Sequence, residues 1–204
     1  MGWVRLFLLL CLFPTFAYAA VNSSVVGDAL AIPPKPAGLT VVSRSAAQAL
    51  FHAVATDPDI PFDFYDGCEA KAQKADIFLE QKGVIAGKVF VEGNIYYQSH
   101  WGPQFWTIHI APLVLVQDSG AVHPYVIDPY LSRKLLSYED WLALIQNDSR
   151  TTLAQVYFTN RFVYLPTELG LNITSYDPKD LKDMDTVLQE IRTYQAGYSG
   201  SLSN

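Results

Sequence analysis

Three residues carry the chemistry of this sequence: Cys68 in FYDGCEAKAQKADIFLEQKG, His109 in FWTIHIAPLV and Asp128 in VIDPYL. A thiolate is a strong nucleophile, but it needs a base to form it. An imidazole is that base, and a carboxylate behind it fixes the tautomer that can accept the proton. The only other cysteine is Cys11. It lies within an apolar leader, so Cys68 has no disulfide partner.

Each residue also has a plainer reading. A lone cysteine heading a helix is most often a small buried apolar group. A histidine on an apolar strand is most often a satisfied core residue, and an aspartate before proline is usually a turn. The three together point to a thiol enzyme with Cys68 as nucleophile, His109 as general base and acid, and Asp128 as orienter.

The elements around them must bring the three together. Asp66 and Gly67 are helix-start residues and Gly83 is a helix stop. Between them Cys68, Ala72, Ala75 and Leu79 share one helical face. A helix N-terminus is expected to lower the thiol pKa, and its N–H groups can receive an oxyanion. QFWTIHIAPLVLVQDSGAVHPYVIDP reads as two strands turning at Gln117 to Gly120. Pairing Gln117 with Gly120 and Val116 with Ala121 sets His109 opposite Asp128, with Cβ atoms about 5 Å apart. Pro112 and Pro124 mark an edge or a bulge that would shift this register.

The flanking segments give the rest of the fold. SRSAAQALFHAVATDPD is helical, with Ala46, Ala49, Leu50 and Ala53 on its inward face and His52 as a structural, partly exposed residue. GKVFVEGNIYY alternates as a strand closing on a turn at Glu92, Gly93 and Asn94. SYEDWLALIQN is a helix opened by Ser137, with Asp140 in the capping-box position. AQVYFTNRFVYLP reads as a further strand or two short ones, and an amphipathic helix covers Lys179 to Gln195. Helices and hairpins mix without βαβ alternation, so the class is α+β.

Residues 1–19 read as a secretory signal peptide with cleavage after Ala19, following Ala17 and Tyr18. Residues 20–42, with AIPPKPAG, form an N-terminal arm or short pro-segment. A single catalytic domain spans 43–196, and 197–204 is a flexible tail. The expected location is the periplasm or the medium, with no membrane association after cleavage. A net charge of −6 lacks the basic footprint of a nucleic-acid binder. His100 and His123 match no metal-ligand spacing. Neither metal nor cofactor is expected, and the protein is expected to be a monomer.

DGC heading a helix, FWTIHIAPLV and VIDPYL resemble blocks of the secreted bacterial protein glutaminases, which deamidate proteins. Those blocks are Asp-Gly-Cys, Trp-x-x-His-Val-Ala and Ile-Asp-Pro-x-Leu, in the same order. The resemblance covers about residues 62 to 131. It implies a papain-related, transglutaminase-like core, with the Cys68-headed helix packed on an antiparallel sheet. It also implies a Cys68–His109–Asp128 triad acting on glutamine in proteins and peptides. Trp106 matches the family tryptophan before the histidine, although strict alternation points it away from His109. Gln98 and Gln104 are candidate oxyanion or substrate-binding donors. The chain departs from that family in its single mature cysteine and its short arm. The triad alone leaves open a cysteine peptidase or a cross-linking transglutaminase. A binding module, with IYYQSHWGPQFW as its ligand surface, is the non-enzymatic alternative.

Overall fold

The computed structural model describes residues 35–201, with side-chain environments through Gly197. The signal-peptide reading and most of the arm lie outside the described residues. In chain order the elements are β1 (Val41–Ser43), α1 (Arg44–Ala55), α2 (Cys68–Gln81), β2 (Gly87–Ser99), β3 (Gly102–Asp118), β4 (Ala121–Val126), β5 (Leu136–Ser137), α3 (Tyr138–Ile145), β6 (Thr152–Asn160) and α4 (Pro178–Ser201). The sheet runs β5-β4-β3-β2-β6, all antiparallel, with the short β1 added in parallel along β3. This is the α+β architecture expected. The last helix continues to Ser201, into the stretch read as a tail. Among the described residues no helix is long and apolar enough to cross a membrane.

The two faces of the sheet bury different partners. Val114, Val116, Tyr125 and Ile127 pack against Ala47, Phe51 and Val54 of α1 and Ala75 and Leu79 of α2. Val89, Val91, Ala111, Leu113 and Val126 pack on the other face against Tyr138, Trp141 and Ile145 of α3. Burying a leucine such as Leu79 contributes about 2 kcal/mol. Helix α4 covers the outer side of α2 through Met184, Leu188, Ala70 and Tyr164. Flanked by the sheet and α4, α2 is buried on several sides. Lys71, Gln73 and Asp76 are therefore buried along with the expected Ala72, Ala75 and Leu79.

Local signals set the ends of α2. Gly83 N–H bonds Glu80 O at 2.9 Å and Val84 N–H bonds Leu79 O at 3.0 Å, a Schellman stop. At its start Gly67 takes φ 72°, and a Cβ there would lie 2.8 Å from Ile191 Cδ1 and 2.9 Å from Val187 Cγ1. Only glycine fits under α4. Ser137 caps α3 as expected, accepting from Asp140 N–H at 3.1 Å.

Three expectations are corrected. Helix α1 turns Ala47, Phe51 and Val54 inward, with Ala46 and Ala49 in solvent. All four residues in the expected set are apolar or small, so spacing alone did not separate the two faces. The Glu92-Gly93-Asn94 turn is instead a bulge inside the long strand β2, where the register to β3 shifts between Glu92 and Ile95. Gly93 makes this possible: a Cβ would meet Thr152 O at 2.2 Å.

The β3–β4 hairpin turns on Ser119 and Gly120, with φ 50° and 87°, and pairs Asp118 with Ala121. This register lies two residues from the expected one, so side chains keep their faces, but His109 and Asp128 are not a cross-strand pair. Asp128 instead follows the end of β4. The prolines cause no shift, because neither missing donor falls at a rung that a paired strand residue would bond. Pro112 reaches the point where β4 is leaving, and Pro124 faces away from β3.

Gly93→Ala should remove about 3 kcal/mol of stability, combining main-chain overlap with an unfavourable φ. Urea unfolding monitored by tryptophan fluorescence measures this loss.

Candidate active site

The site forms where β4 departs from β3. Ile127 N–H bonds Pro112 O at 3.0 Å as the chain leaves β4. Two residues back along β3, Ile110 presents its N–H on the same side, and the Cys68 sulfur accepts from it. Cys68 packs among Ala72, Phe90, Ile108 and Ile110, half-buried at the head of α2. The nucleophile candidate thus occupies a vacancy in the strand ladder.

On the residue preceding Ile110, His109 Nε2 and Asp128 Oδ2 are 2.7 Å apart, with both side chains buried. Trp141 Nε1–H donates to the same oxygen at 2.9 Å, and Leu131 N–H donates to Asp128 Oδ1 at 3.3 Å. Burial pushes the Asp128 pKa up. The His109 charge and these hydrogen bonds outweigh it and hold the carboxyl below its usual range. An ionised Asp128 can only accept, so the hydrogen on this bond belongs to Nε2. Nδ1 is left as the ring's second functional atom.

Trp106 lies stacked on His109, with ring centroids 5.0 Å apart and planes at 14°. This overturns the expectation from strict alternation, and the bulge explains it. Val91 pairs with His109 but Ile95 pairs with Trp106, an odd register shift that flips the strand's facing. Trp141 covers the ring from 5.9 Å away, and Tyr97 and Tyr130 extend the aromatic layer around Trp106. Trp141 went unrecognised in the sequence. Its signal was the spacing of Tyr138, Trp141 and Ile145 along one face, since a buried indole N–H must find an acceptor.

Gln98 and Gln104 are placed elsewhere. Their amides donate to Ser99 O and Gly102 O at the β2–β3 turn, each at 3.3 Å. His100 pairs loosely with Asp63 at 3.5 Å, and His123 lies exposed on β4. Among the described residues no group of three metal-ligating side chains converges.

The thiol environment differs from expectation. Burial raises the Cys68 pKa, and Glu69 raises it further, its Oε2 lying 3.6 Å from the sulfur. Lys71 and the Ile110 N–H act in the opposite sense without prevailing. The resting group is therefore a neutral thiol. Glu69 and Gly67 line a cavity of about 340 Å³ beneath Val187, Ile191 and Tyr194. A larger cleft of about 640 Å³ runs past Tyr130 between Phe62, His100 and Arg133.

Glu69→Gln removes the nearest negative charge, so iodoacetamide should alkylate Cys68 severalfold faster at pH 7, on the order of half a pKa unit. Asp128→Asn should show a pH-dependent stability loss. The depressed carboxyl pKa gives a contribution fully present above the unfolded value, about pH 4, and lost as pH falls through the folded value. Thermal melts of the two proteins should therefore differ at pH 6 and converge in acid.

Known proteins share the fold that carries these residues. Residues 47–145 match the family model described as glutaminase. Among solved structures, the NMR structure of protein-glutaminase from Chryseobacterium proteolyticum aligns with a TM-score of 0.65 and 25% identity, over 75% of this chain and 89% of that one. A crystal structure of protein-glutaminase aligns with a TM-score of 0.59 and 24% identity, over 69% and 82%. A crystal structure of pro-protein-glutaminase gives 0.63 and 23%, over 81% of this chain and 61% of the longer one. No curated protein matches the sequence. The match to the glutaminase model thus spans residues 47–145, and the fold is similar to that of the protein-glutaminases.

Proposed function

We propose that this protein is a thiol-dependent hydrolase that converts glutamine side chains in proteins to glutamate and ammonia. The observation that carries the reading is the buried His109–Asp128 pair, with His109 one residue before the Ile110 N–H from which the Cys68 sulfur accepts, in a segment that matches the glutaminase family model. His109 Nδ1 takes the Cys68 proton as the sulfur attacks the carboxamide carbon. Deprotonation coupled to attack suits a thiol that is neutral at rest. The oxyanion formed is received at the start of α2, where the first N–H groups of a helix lack intrahelical partners.

His109 then returns the proton to the departing nitrogen, and ammonia leaves a thioester on Cys68. Water, deprotonated by the same imidazole, attacks that carbonyl. Collapse releases glutamate and restores the thiol. Asp128 keeps the hydrogen on Nε2 throughout, and Trp106 and Trp141 hold the ring between them. The match to protein-glutaminases supports glutamine in a polypeptide as the substrate. The cleft beside Tyr130 offers room for flanking main chain, whose binding energy helps drive the chemical step. Export through the leader fits an enzyme that meets proteins outside the cell.

Incubation with an unfolded protein should release ammonia and add about one dalton per converted glutamine, the change from NH₂ to OH, while free glutamine reacts far more slowly. Cys68→Ala should abolish release, as should His109→Ala, because nucleophile and base act as a unit. Normal turnover by Cys68→Ala would refute the assignment. Clipped peptides would instead indicate a peptidase, and high-mass products a transglutaminase.

A further inference from the structure

Lys71 lies in α2 one turn beyond Cys68 and is only 4% exposed. A buried ammonium is costly unless opposite charge and hydrogen bonds compensate it. Its Nζ donates to Phe64 O at 2.7 Å and sits 5.3 Å from the centre of the Tyr130 ring. A carbonyl and an aromatic face are dipolar and quadrupolar partners, and neither carries a full negative charge. The nearby acidic groups are Cys68, Asp128, Glu69 and Asp66. Asp128 is already bound to His109, Trp141 and Leu131. Glu69 bonds the sulfur and faces the cavity under α4, while Asp66 accepts from Gly67 N–H.

We propose that Lys71 is a positioning residue for the thiol: its ammonium is the fixed counter-charge that steadies the Cys68 thiolate as it forms. The inference rests on Cys68 as the nucleophile. Position three residues along a helix puts the two side chains on neighbouring sides of one turn. The Phe64 carbonyl and the Tyr130 ring keep the charge from swinging into water. Lys71 thereby offsets Glu69, which opposes the thiolate from the other side. The charged or titratable neighbours that shape this balance are Glu69 on α2, Asp66 before it, Asp128 with its bonded partner His109, Tyr130 after β4, and Glu190 and Tyr194 on α4.

The test is the rate of Cys68 alkylation by iodoacetamide between pH 6 and 9, measured for the unaltered protein, Lys71→Met and Lys71→Arg. Removing the charge should lower the rate at each pH by about tenfold, one unit along the pH axis. Lys71→Arg should restore the profile, which a merely structural loss would not do. A folded Lys71→Met with an unchanged profile overturns the inference. So does a folded Lys71→Arg displaced as far as a neutral variant. Where Lys71→Met does not fold, Lys71→Gln, which retains a donor for Phe64 O, makes the same comparison. Alkylation reads the thiol and not glutamine hydrolysis. An unchanged profile beside an inactive Cys68→Ala therefore removes only the role of Lys71, whereas an active Cys68→Ala removes the nucleophile as well.

Discussion

The Asp128 carboxylate is the constraint on which the site depends. It is withdrawn from water at 3% exposure, where an unpaired charge costs several kcal/mol. Donors from three places compensate it: the His109 ring on β3, the Trp141 indole on α3 and the Leu131 N–H beyond β4. The same bonds fix the position of the imidazole, anchor α3 to the sheet and shape the segment that leaves β4. A residue that reads as a turn aspartate in the sequence is therefore a junction of the fold. Loss of any one donor would be felt by the other two.

A second requirement is the early end of β4. Had the strand continued in register past Val126, the Ile110 N–H would have found a carbonyl partner. Its departure opens the edge of β3, and the head of α2 enters the gap. Sheet topology, more than the helix dipole, then sets the thiol's surroundings. Desolvation at such an edge, with the Glu69 carboxylate, raises the thiol pKa against the pull of Lys71 and the Ile110 N–H. Glu69 and Lys71 bracket it with opposite charges.

Much of this arrangement was legible in the sequence, and the failures have physical causes. The start and stop of α2, the Ser137 cap and the existence of β2, β3, β4 and β6 along the chain followed from local signals whose partners lie within a few residues. The His109–Asp128 contact was anticipated from a pairing that the structure does not use. The contact arises because Asp128 curls back after β4. The burial of Lys71, Gln73, Asp76 and Lys88 carried no sequence signal, since it depends on layers supplied by distant segments. Lys88 on β2 is the extreme case: it is fully buried, its Nζ bonds Val163 O at 2.5 Å and Gln73, and burial lowers its pKa to about 8. Gln98 and Gln104 were singled out by side-chain chemistry alone, without a register to place them.

The bulge at Gly93 has an implication for how this sequence can vary in length. Trp106 shares a face with His109 only because one odd step intervenes between them. A single-residue insertion or deletion in that interval would carry the tryptophan to the opposite side, even with every other residue retained. Two residues lost or gained would preserve the facing but break its match to Gly93 across the ladder. The Ser119–Gly120 turn lies outside this phase relationship, and extra residues there project into solvent. Substitution can therefore drift through the interval, while its length is held by arithmetic.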